Sequence, residues 1–463
     1  MPSAAATFAE ISDTTPPPGT PARLGTAVVL GGSMAGLLAA RVLADHADTV
    51  LIIERDEVSG AEPRQGVPQG SQVHALLEGG KLQLERWFPG FADRAVAAGA
   101  VRVPTQRMVS YSLGVPKVAG ADLDLLTSTR PFLESRVRAE LAQVPNVKVI
   151  TGRVTGLEFG ATAVTGVRLE TGREPADLVV DAMGRASNVS GWLAEAGWDK
   201  PPMTRVTTGI NYATAFFRRP PGGYDVDLGL AFQAPDAFLR GANFTPIEGD
   251  RYIMMVAGVG DDRPGRTVED MVRRCRTELP EPFGVVASGE VVRDVLTYRQ
   301  ADSRRRDYTA CERLPARLVP VGDAVASFNP IYGQGMSSAA LHASCLAKYL
   351  RTDPDLDAPA RAFLELQRVV VDAAWGISTS GDGAEVSWLG RLRRRMVQQV
   401  VEATTTDREV NKLFQAVMQM EAHPTVLARP DVLWRSFRAR GNPLPPVTPS
   451  LVDERGELRR EQP

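Results

Sequence analysis

The residues of this chain with the clearest chemical potential are small ones that follow a short apolar run. Residues 27–30 (AVVL) lead into GGSMAG, where Gly31, Ser33 and Gly36 hold the key places of the Gly-x-Gly-x-x-Gly pattern. The first glycine permits a tight turn, a small middle residue lets a pyrophosphate approach the backbone, and the last lets the helix pack near the sheet. Free N–H groups at the helix N-terminus then favour phosphates. The pattern predicts a dinucleotide-binding turn, to which Met34 and Ala35 also belong.

A carboxylate stands where such a turn needs one. Glu54 directly follows the apolar run 50–53. An acid at the end of the second strand can accept hydrogen bonds from a ribose, and Arg55 is a further candidate contact. The strand, turn, helix and acid together predict a βαβ unit.

Two later segments indicate a flavin dinucleotide. Residues 318–336 (LVPVGDAVASFNPIYGQGM) place Asp323 after an apolar strand, where it can bind a ribityl hydroxyl. The turn at 333–335 precedes a helix and can present N–H groups that stabilise negative charge on a reduced flavin. Residues 177–187 (DLVVDAMGRAS) form another strand with small residues at its end. The candidate cofactor residues of these segments are Asp181, Gly184, Gly322, Asp323, Pro330, Gly333, Gln334, Gly335 and Met336.

With these motifs the chain resembles the FAD-dependent monooxygenases of the single-component, aromatic-hydroxylase type. GGSMAG with Glu54, DAMG at 181–184 and GDAVASFNPIYGQG at 322–335 stand in that family's order. The chain is more closely similar to actinobacterial members of secondary metabolism, including polyether and polyene epoxidases, through RQGVPQGSQVHALLEGG at 64–80. In that loop Gln72 stands at the subgroup's first histidine position and His74 at the second.

The resemblance implies a reaction and its cofactors. NADPH or NADH reduces FAD, and a flavin C4a-hydroperoxide then hydroxylates or epoxidises an apolar natural product such as a polyketide. The sequence shows no second nucleotide-binding βαβ unit, so the nicotinamide would bind transiently over the flavin, or a separate flavin reductase would supply electrons. The resemblance also places Arg64, Gln69 and Arg130 near the FAD.

The predicted fold class is α/β. A Rossmann-like FAD-binding domain is interrupted by an antiparallel β-sheet that covers the substrate, and C-terminal helices close the fold. The predicted boundaries are a flexible leader at 1–23, an FAD-binding domain at 24–104, 125–202 and 293–350, a substrate sheet at 105–124 and 203–292, helices at 351–440 and a flexible tail at 441–463.

The substrate candidates are apolar side chains of that sheet together with one loop histidine. Side chains alternate along a strand, so only some can face a cavity, and packing competes as an explanation for each. The candidates are His74, Tyr212, Phe216, Phe232, Phe244 and Met254.

The composition limits the kinds of partner that the chain is expected to bind. The 53 Lys+Arg and 55 Asp+Glu give a net charge of −2, which argues against nucleic acid. Three cysteines and four histidines lack metal-site spacing, so we expect no metal. Glycines, Ser33 and Arg41 interrupt the apolar stretch 26–44, which disfavours stable membrane insertion. We expect a cytoplasmic enzyme whose partners are O₂ and a small apolar substrate, with the arginines at 304–306 on a solvated face.

Other functions remain open at this stage. A flavoprotein of this type could use FAD structurally and catalyse a non-redox cyclisation such as a [4+2] closure, and the FAD motifs would look the same. Halogenation is disfavoured because the Trp-x-Trp-x-Ile-Pro motif is absent. A non-catalytic binding module is disfavoured because all three FAD motifs are present.

Overall fold

The computed structural model describes residues 2–16, 23–57, 60–64, 68–112, 114–233, 240–379 and 388–439. The strands in chain order are β1 (Leu24–Leu30), β2 (Ala47–Glu54), β3 (Val101–Pro104), β4 (Met108–Ser112), β5 (Val115–Pro116), β6 (Asp124–Thr127), β7 (Val147–Thr151), β8 (Val154–Phe159), β9 (Val164–Leu169), β10 (Gly172–Pro175), β11 (Leu178–Asp181), β12 (Met203–Arg218), β13 (Leu228–Gln233), β14 (Arg240–Ile247), β15 (Arg251–Val259), β16 (Val291–Arg306), β17 (Leu318–Pro320) and β18 (Ala326–Ser327). The α-helices are α1 (Ala4–Ile11), α2 (Met34–Leu43), α3 (Glu78–Trp87), α4 (Phe91–Ala97), α5 (Arg130–Leu141), α6 (Val189–Glu195), α7 (Val268–Thr277), α8 (Glu281–Ala287), α9 (Gln334–Leu350), α10 (Arg361–Ser378), α11 (Trp388–Ala403), α12 (Arg408–Met418) and α13 (Pro430–Arg438).

A parallel sheet forms the base of the cofactor half. Its order is β17-β11-β1-β2-β7, and the apolar run of β1 is fully buried, as expected for a central parallel strand. The strands that precede the three predicted motifs lie side by side, with Leu30, Asp181 and Pro320 in register at their carboxyl ends. Because parallel strands end at one edge, the topology brings all three motifs together.

A larger sheet forms the second half. Its order is β18-β16-β12-β15-β14-β13-β4-β5, and most neighbouring strands are antiparallel, although β4 and β13 are parallel. One face packs against α7 and α8. Smaller sheets pair β8, β9 and β10, and also β3 with β6. The predicted α/β architecture with an inserted sheet and C-terminal helices is confirmed.

One predicted domain boundary is wrong. The sequence analysis ended the substrate sheet at 292, but β16 continues to Arg306 and pairs with β12 along most of its length. Residues 293–306 therefore belong to the large sheet. The excursion at 105–124 does contribute β4 and β5 to that sheet.

The leader predicted at 1–23 is also partly wrong, because it contains α1. Phe8 and Ile11 of this helix are each 1% exposed, and the Phe8 ring meets the His423 ring edge-on at 5.9 Å. Burial of these two apolar side chains fixes the helix, although residues 17–22 lie outside the described ranges. The tail predicted at 441–463 lies outside them entirely. Within the described ranges, no helix is long and apolar enough to cross a membrane.

Candidate active site

The dinucleotide turn has the geometry that its glycines predict. Gly31 has φ +103°, and a Cβ there would lie 2.7 Å from the Ala182 carbonyl oxygen. A Cβ on Gly36 would lie 1.8 Å from the Gly31 carbonyl oxygen. The Gly32 N–H donates to Glu54 Oε2 at 2.8 Å. Backbone approach therefore excludes larger residues at 31 and 36, and Glu54 holds the turn through this hydrogen bond.

Ser33, at the middle glycine place, joins a buried ionic network instead of capping α2. Its Oγ donates to Glu134 Oε1 at 2.6 Å, and it makes no side-chain cap bond to the helix. Glu134 also accepts from Arg130 Nε at 2.9 Å and Arg64 Nη2 at 3.2 Å. Arg64 continues to Glu54 at 2.7 Å. The network thus places two predicted cofactor residues, Arg64 and Arg130, beside the turn.

The sequence analysis did not identify Glu134 as a site residue, although Glu134 is at the centre of this network. Its side chain is 4% exposed. Burial alone would raise the pKa of this carboxyl, but the charges of Arg130 and Arg64 outweigh burial and lower the pKa to about 2. Its position four residues after Arg130 in a helix is the signal that could have identified it.

The other predicted cofactor residues of the turn and of the loop that follows β2 differ in how exposed their side chains are. Met34 is buried and Ala35 is partly buried. The Arg55 side chain is about half exposed and lies 3.9 Å from Asp56, whose carboxylate lies 3.7 Å from Arg64 of the network. The side chain of Gln69 lies outside the described part of the structure.

The flavin-type motif holds polar groups and small residues at the start of a helix. Gly333 has φ +67° and is the N-cap residue of α9. Both amide atoms of Gln334 are buried with no hydrogen-bond partner in the described structure, while a Cβ on Gly335 would meet nothing within 4 Å. Asp323 is partly buried beside Gly184; burial raises its pKa, opposed by the charges of Arg130 and Arg185. The motif thus contains a helix N-terminus, an amide without a partner in the described structure and a partly buried carboxyl.

Two buried side chains that the sequence analysis missed hold this motif in place. His342 of α9 accepts at Nδ1 from the Gly322 N–H at 2.9 Å, and burial lowers the pKa of the imidazole to about 3, so it stays neutral. Gln367 of α10 donates to the Pro320 carbonyl at 2.7 Å. Gly322 has φ +59°, and a Cβ there would lie 2.6 Å from Ala35 Cβ. The motif is therefore packed directly on the dinucleotide turn.

Asp181, which the sequence predicts as a cofactor residue, is engaged by residues of its own loop. Its carboxylate is fully buried and accepts from Ser187 Oγ at 2.6 Å and the Met183 N–H at 3.1 Å. The prediction of a solvated arginine run is wrong for Arg306, which is 5% exposed and donates to the Ala324 carbonyl at 2.9 Å. Strand pairing turns both side chains inward, where they brace loops around the cofactor space.

Asp181 makes stability depend on pH. Burial raises its pKa from the ordinary 3.8 to about 6, so between those values the unfolded chain has released a proton that the folded chain still holds. The contribution of Asp181 to the unfolding free energy therefore falls by about 3 kcal/mol in total as the pH rises from about 4 to about 6. We expect Asp181→Asn to lack this loss. Urea unfolding of both proteins between pH 4 and 7.5 measures it, and a stability difference that does not grow with pH would contradict the assignment.

His74 links the network to a cavity. Its Nε2 lies 3.3 Å from Arg130 Nη1 and its Nδ1 lies 2.9 Å from the Gln72 carbonyl oxygen. Burial and the Arg130 charge lower its pKa to about 3. The neutral ring therefore accepts at Nε2 and donates at Nδ1. Gln72 stands where the resembled subgroup has its first histidine. Its Oε1 accepts a hydrogen bond from Thr214 Oγ1 of the large sheet at 2.7 Å.

A cavity of about 1090 Å³ adjoins the flavin-type motif. Its floor is the face of the large sheet opposite α7 and α8, and its other walls include α10, α11 and α12. Gly333 and Met336 border it at one end, together with Pro330, His74 and Arg130. The floor is mainly apolar, formed by Met108, Ser110, Ser112, Leu228, Leu230, Phe232, Asn243, Thr245 and Met255.

Strand alternation corrects the predicted substrate residues. Phe232 lines the cavity. Tyr212 and Phe216 lie on the same sheet face but are not among the residues that line the cavity; Tyr212 packs against Tyr298, and Phe216 packs with Ile247 and Ile253. Phe244 borders the cavity, but its ring packs on the opposite face against Phe283 at 5.0 Å, and Met254 packs there too. The sequence could not reveal which parity of each strand faces inward.

Comparisons with known proteins identify relatives. No protein-family model matches the chain. Protein Rv3254 of Mycobacterium tuberculosis (strain ATCC 25618 / H37Rv) is 34% identical over 345 residues, which cover 70% of this chain and 73% of that protein.

Solved structures share the fold. That of pqsL, a probable FAD-dependent monooxygenase from Pseudomonas aeruginosa, has a TM-score of 0.57 at 16% identity and covers 84% of this chain and 99% of that one. The flavin-dependent brominase Bmp2 has a TM-score of 0.54 at 15% identity and covers 89% of this chain and 92% of that one. Identities this low speak for the fold and not for the reaction.

Proposed function

From the premise that the chain belongs to the family of the mycobacterial protein Rv3254 and has the fold of FAD-binding monooxygenases, we propose that it is an FAD-dependent monooxygenase. It inserts one O₂-derived oxygen atom into an apolar natural-product intermediate such as a polyketide, by hydroxylation or epoxidation. The similarity of loop 64–80 to actinobacterial epoxidases supports this substrate class. Halogenation is not proposed, because the Trp-x-Trp-x-Ile-Pro motif is absent from the sequence.

One observation carries the proposal. The dinucleotide turn and a mainly apolar cavity meet through Arg130, which lines the cavity and donates to Ser33 Oγ of the turn at 3.1 Å, and Pro330, Gly333 and Met336 of the flavin-type motif border the region where they meet. Pockets with mostly apolar walls and a few placed polar groups are typical ligand sites. A redox cofactor in that region would therefore lie beside an apolar substrate in the cavity.

The residues present fit FAD. The N-terminus of α2 and Arg130 suit a pyrophosphate, Glu54 suits the adenosine ribose, and Asp323 suits a ribityl hydroxyl. The unpaired Gln334 amide and the open space at Gly335 suit the polar edge of a flavin ring. When bound, FAD supplies electron transfer and oxygen activation.

The protein's own residues bind the cofactor, orient the substrate and exclude water from the site. The positive end of α9 favours negative charge at the flavin's polar edge. The apolar floor and the C-terminal helices keep water from the substrate, which protects a reactive intermediate. His74, neutral above pH about 4 because burial and Arg130 lower its pKa to about 3, accepts a hydrogen bond from the Arg130 guanidinium at Nε2 and does not itself supply a charge.

An anaerobic titration tests the proposal. The FAD-loaded protein is titrated with NADPH and with NADH while its visible spectrum is recorded, and air is then admitted. We expect bleaching by at least one nicotinamide and recovery in air, which would also name the donor. A protein that stays oxidised with both is next reduced with a flavin reductase and NADH. Reduction and reoxidation then support a reductase-fed monooxygenase.

Two results would contradict the proposal. One is a purified protein that binds no FAD. The other is conversion of a natural-product substrate that proceeds unchanged without O₂ and without reductant, which would instead establish the non-redox cyclase with a structural FAD.

A further inference from the structure

The ammonium group of Lys117 lies at the cavity wall without an anionic partner among the described residues. Its side chain lines the cavity, and its Nζ lies 4.2 Å from the centroid of the Phe414 ring. Lys81 and Lys348 have carboxylates at 2.8 Å. In the described part of the chain, Lys117 has no carboxylate within ion-pair distance and no hydrogen bond from Nζ. A ring face satisfies only part of an ammonium group, which has three N–H donors.

The segment that carries Lys117 is fixed to the protein. The Lys117 N–H donates to the Ser110 carbonyl at 2.8 Å. From α12, Asn411 Nδ2 donates to the Val118 carbonyl at 2.6 Å, and Gln415 Oε1 accepts from the Ala121 N–H at 2.8 Å. The backbone that carries the Lys117 side chain is therefore held at the cavity wall by hydrogen bonds to β4 and to α12.

Strand register gives the position of Lys117 along the cavity. Met255, Asn243, Leu230 and Ser110 form one row across four neighbouring strands, and Lys117 lies opposite Ser110 because Pro116 pairs with Tyr111. Four strand spacings separate Met255 from Lys117, which is about 19 Å. Met255 packs with Ile331, two residues before Gly333. Lys117 thus lies at the end of the floor remote from the flavin-type motif.

The other charged groups of the wall do not neutralise Lys117. Arg130, at the opposite end, is engaged by Glu134. Asp372 is paired with Arg305 at 2.6 Å, and Asp122 is exposed. Between the two ends of the floor, Asn243 Oδ1 and Thr245 Oγ1 are buried without partners in the described structure. The wall therefore offers a cation at one end and unpaired hydrogen-bonding atoms along its length.

We propose that the substrate is an elongated apolar acid whose carboxylate pairs with Lys117 while its other end lies beside Gly333. The orientation rests on the proposed function, because that function places the reacting end near the flavin. Burial lowers the pKa of Lys117 to about 8, so the ammonium remains mostly protonated at pH 7. An anion in this desolvated position would form a charge-assisted hydrogen bond, which is among the strong ones in proteins.

A matched pair of probes tests the charge requirement. Pyrenebutyrate and pyrenebutanol share an elongated apolar body and differ in the terminal carboxylate. Their dissociation constants are measured by isothermal titration calorimetry at pH 7 with the FAD-loaded protein, without nicotinamide or turnover. We expect the acid to bind about 10-fold more tightly than the alcohol, as one charge-assisted bond allows.

Variants then assign the preference to Lys117. Lys117→Met keeps the aliphatic stem on Phe414, and we expect it to weaken acid binding about 10-fold while alcohol binding changes less than about twofold. Lys117→Arg restores the acid preference. Lys412→Met, an exposed position on α12, is the matched control and leaves both affinities unchanged.

Two outcomes would overturn the proposal. The first is equal affinity of the wild-type protein for acid and alcohol. The second is an equal loss of both affinities in Lys117→Met, which would show a packing role. Neither readout depends on flavin reduction, so failure here is separate from failure of the monooxygenase proposal.

Discussion

Replacing Gly36 by alanine is expected to weaken FAD binding about 100-fold, because the new methyl group would lie 1.8 Å from the Gly31 carbonyl oxygen. That oxygen belongs to the turn itself and cannot rotate away as a side chain would. The N-terminus of α2 must therefore move by about 1 Å from the position that suits a pyrophosphate, and displacements of this size can cost two orders of magnitude. Fluorescence titration of the apoprotein with FAD measures the effect, with circular dichroism as the check on folding.

Gly191→Ala is the matched control. Gly191 is also inside a helix, α6, but a Cβ there meets nothing within 4 Å. We expect unchanged FAD affinity and a gain of about 0.5–1 kcal/mol in unfolding free energy, since alanine is the better helix former. FAD affinity of a folded Gly36→Ala protein within threefold of wild type would show that close packing of α2 on the turn is not required.

Replacing Glu134 by glutamine is expected to reduce the unfolding free energy at pH 7 by about 3 kcal/mol, because it removes one partner from a buried ionic network. Arg130 would lose the carboxylate that its Nε contacts at 2.9 Å. Arg64 would keep only its contacts on the side of Glu54. Guanidinium groups left partly unpaired beside the turn cost free energy that a polar amide does not recover. Urea unfolding of the apoprotein measures the change.

Glu140→Gln tests whether burial is the cause. Glu140 lies on the same helix, α5, and accepts two hydrogen bonds from Arg94 at 2.6 and 2.8 Å. The Arg94 side chain is 51% exposed, so solvent screens the pair and we expect a loss below about 1 kcal/mol. Equal losses in the two variants would mean that the network at the turn contributes no more than a surface ion pair.

Local patterns in the sequence were enough to predict the half of the protein that carries the three motifs. The turn at 31–36 and the motif at 322–335 are local patterns whose backbone requirements, such as the positive φ of Gly31, Gly322 and Gly333, can be met by glycine and by few other residues. Apolar strands before these motifs also imply a parallel sheet, whose topology places their ends at one edge. The fold class and most candidate FAD residues followed from these local constraints.

Which side chains meet depends on the tertiary structure. Asp181 and Glu134 are both acids near the turn, yet Asp181 braces its own loop while Glu134 bonds Arg64, 70 residues away in the chain, as well as Arg130 on its own helix. Whether a given side chain of β14 or β15 faces the cavity depends on the pairing register of these strands. A shift of one residue would turn that side chain to the opposite face of the sheet. Lys117 became a candidate for substrate binding only because the fold places it on the cavity wall with a ring, Phe414, and no carboxylate of the described residues beside its ammonium group. Packing between distant segments, and not residue type, set these roles.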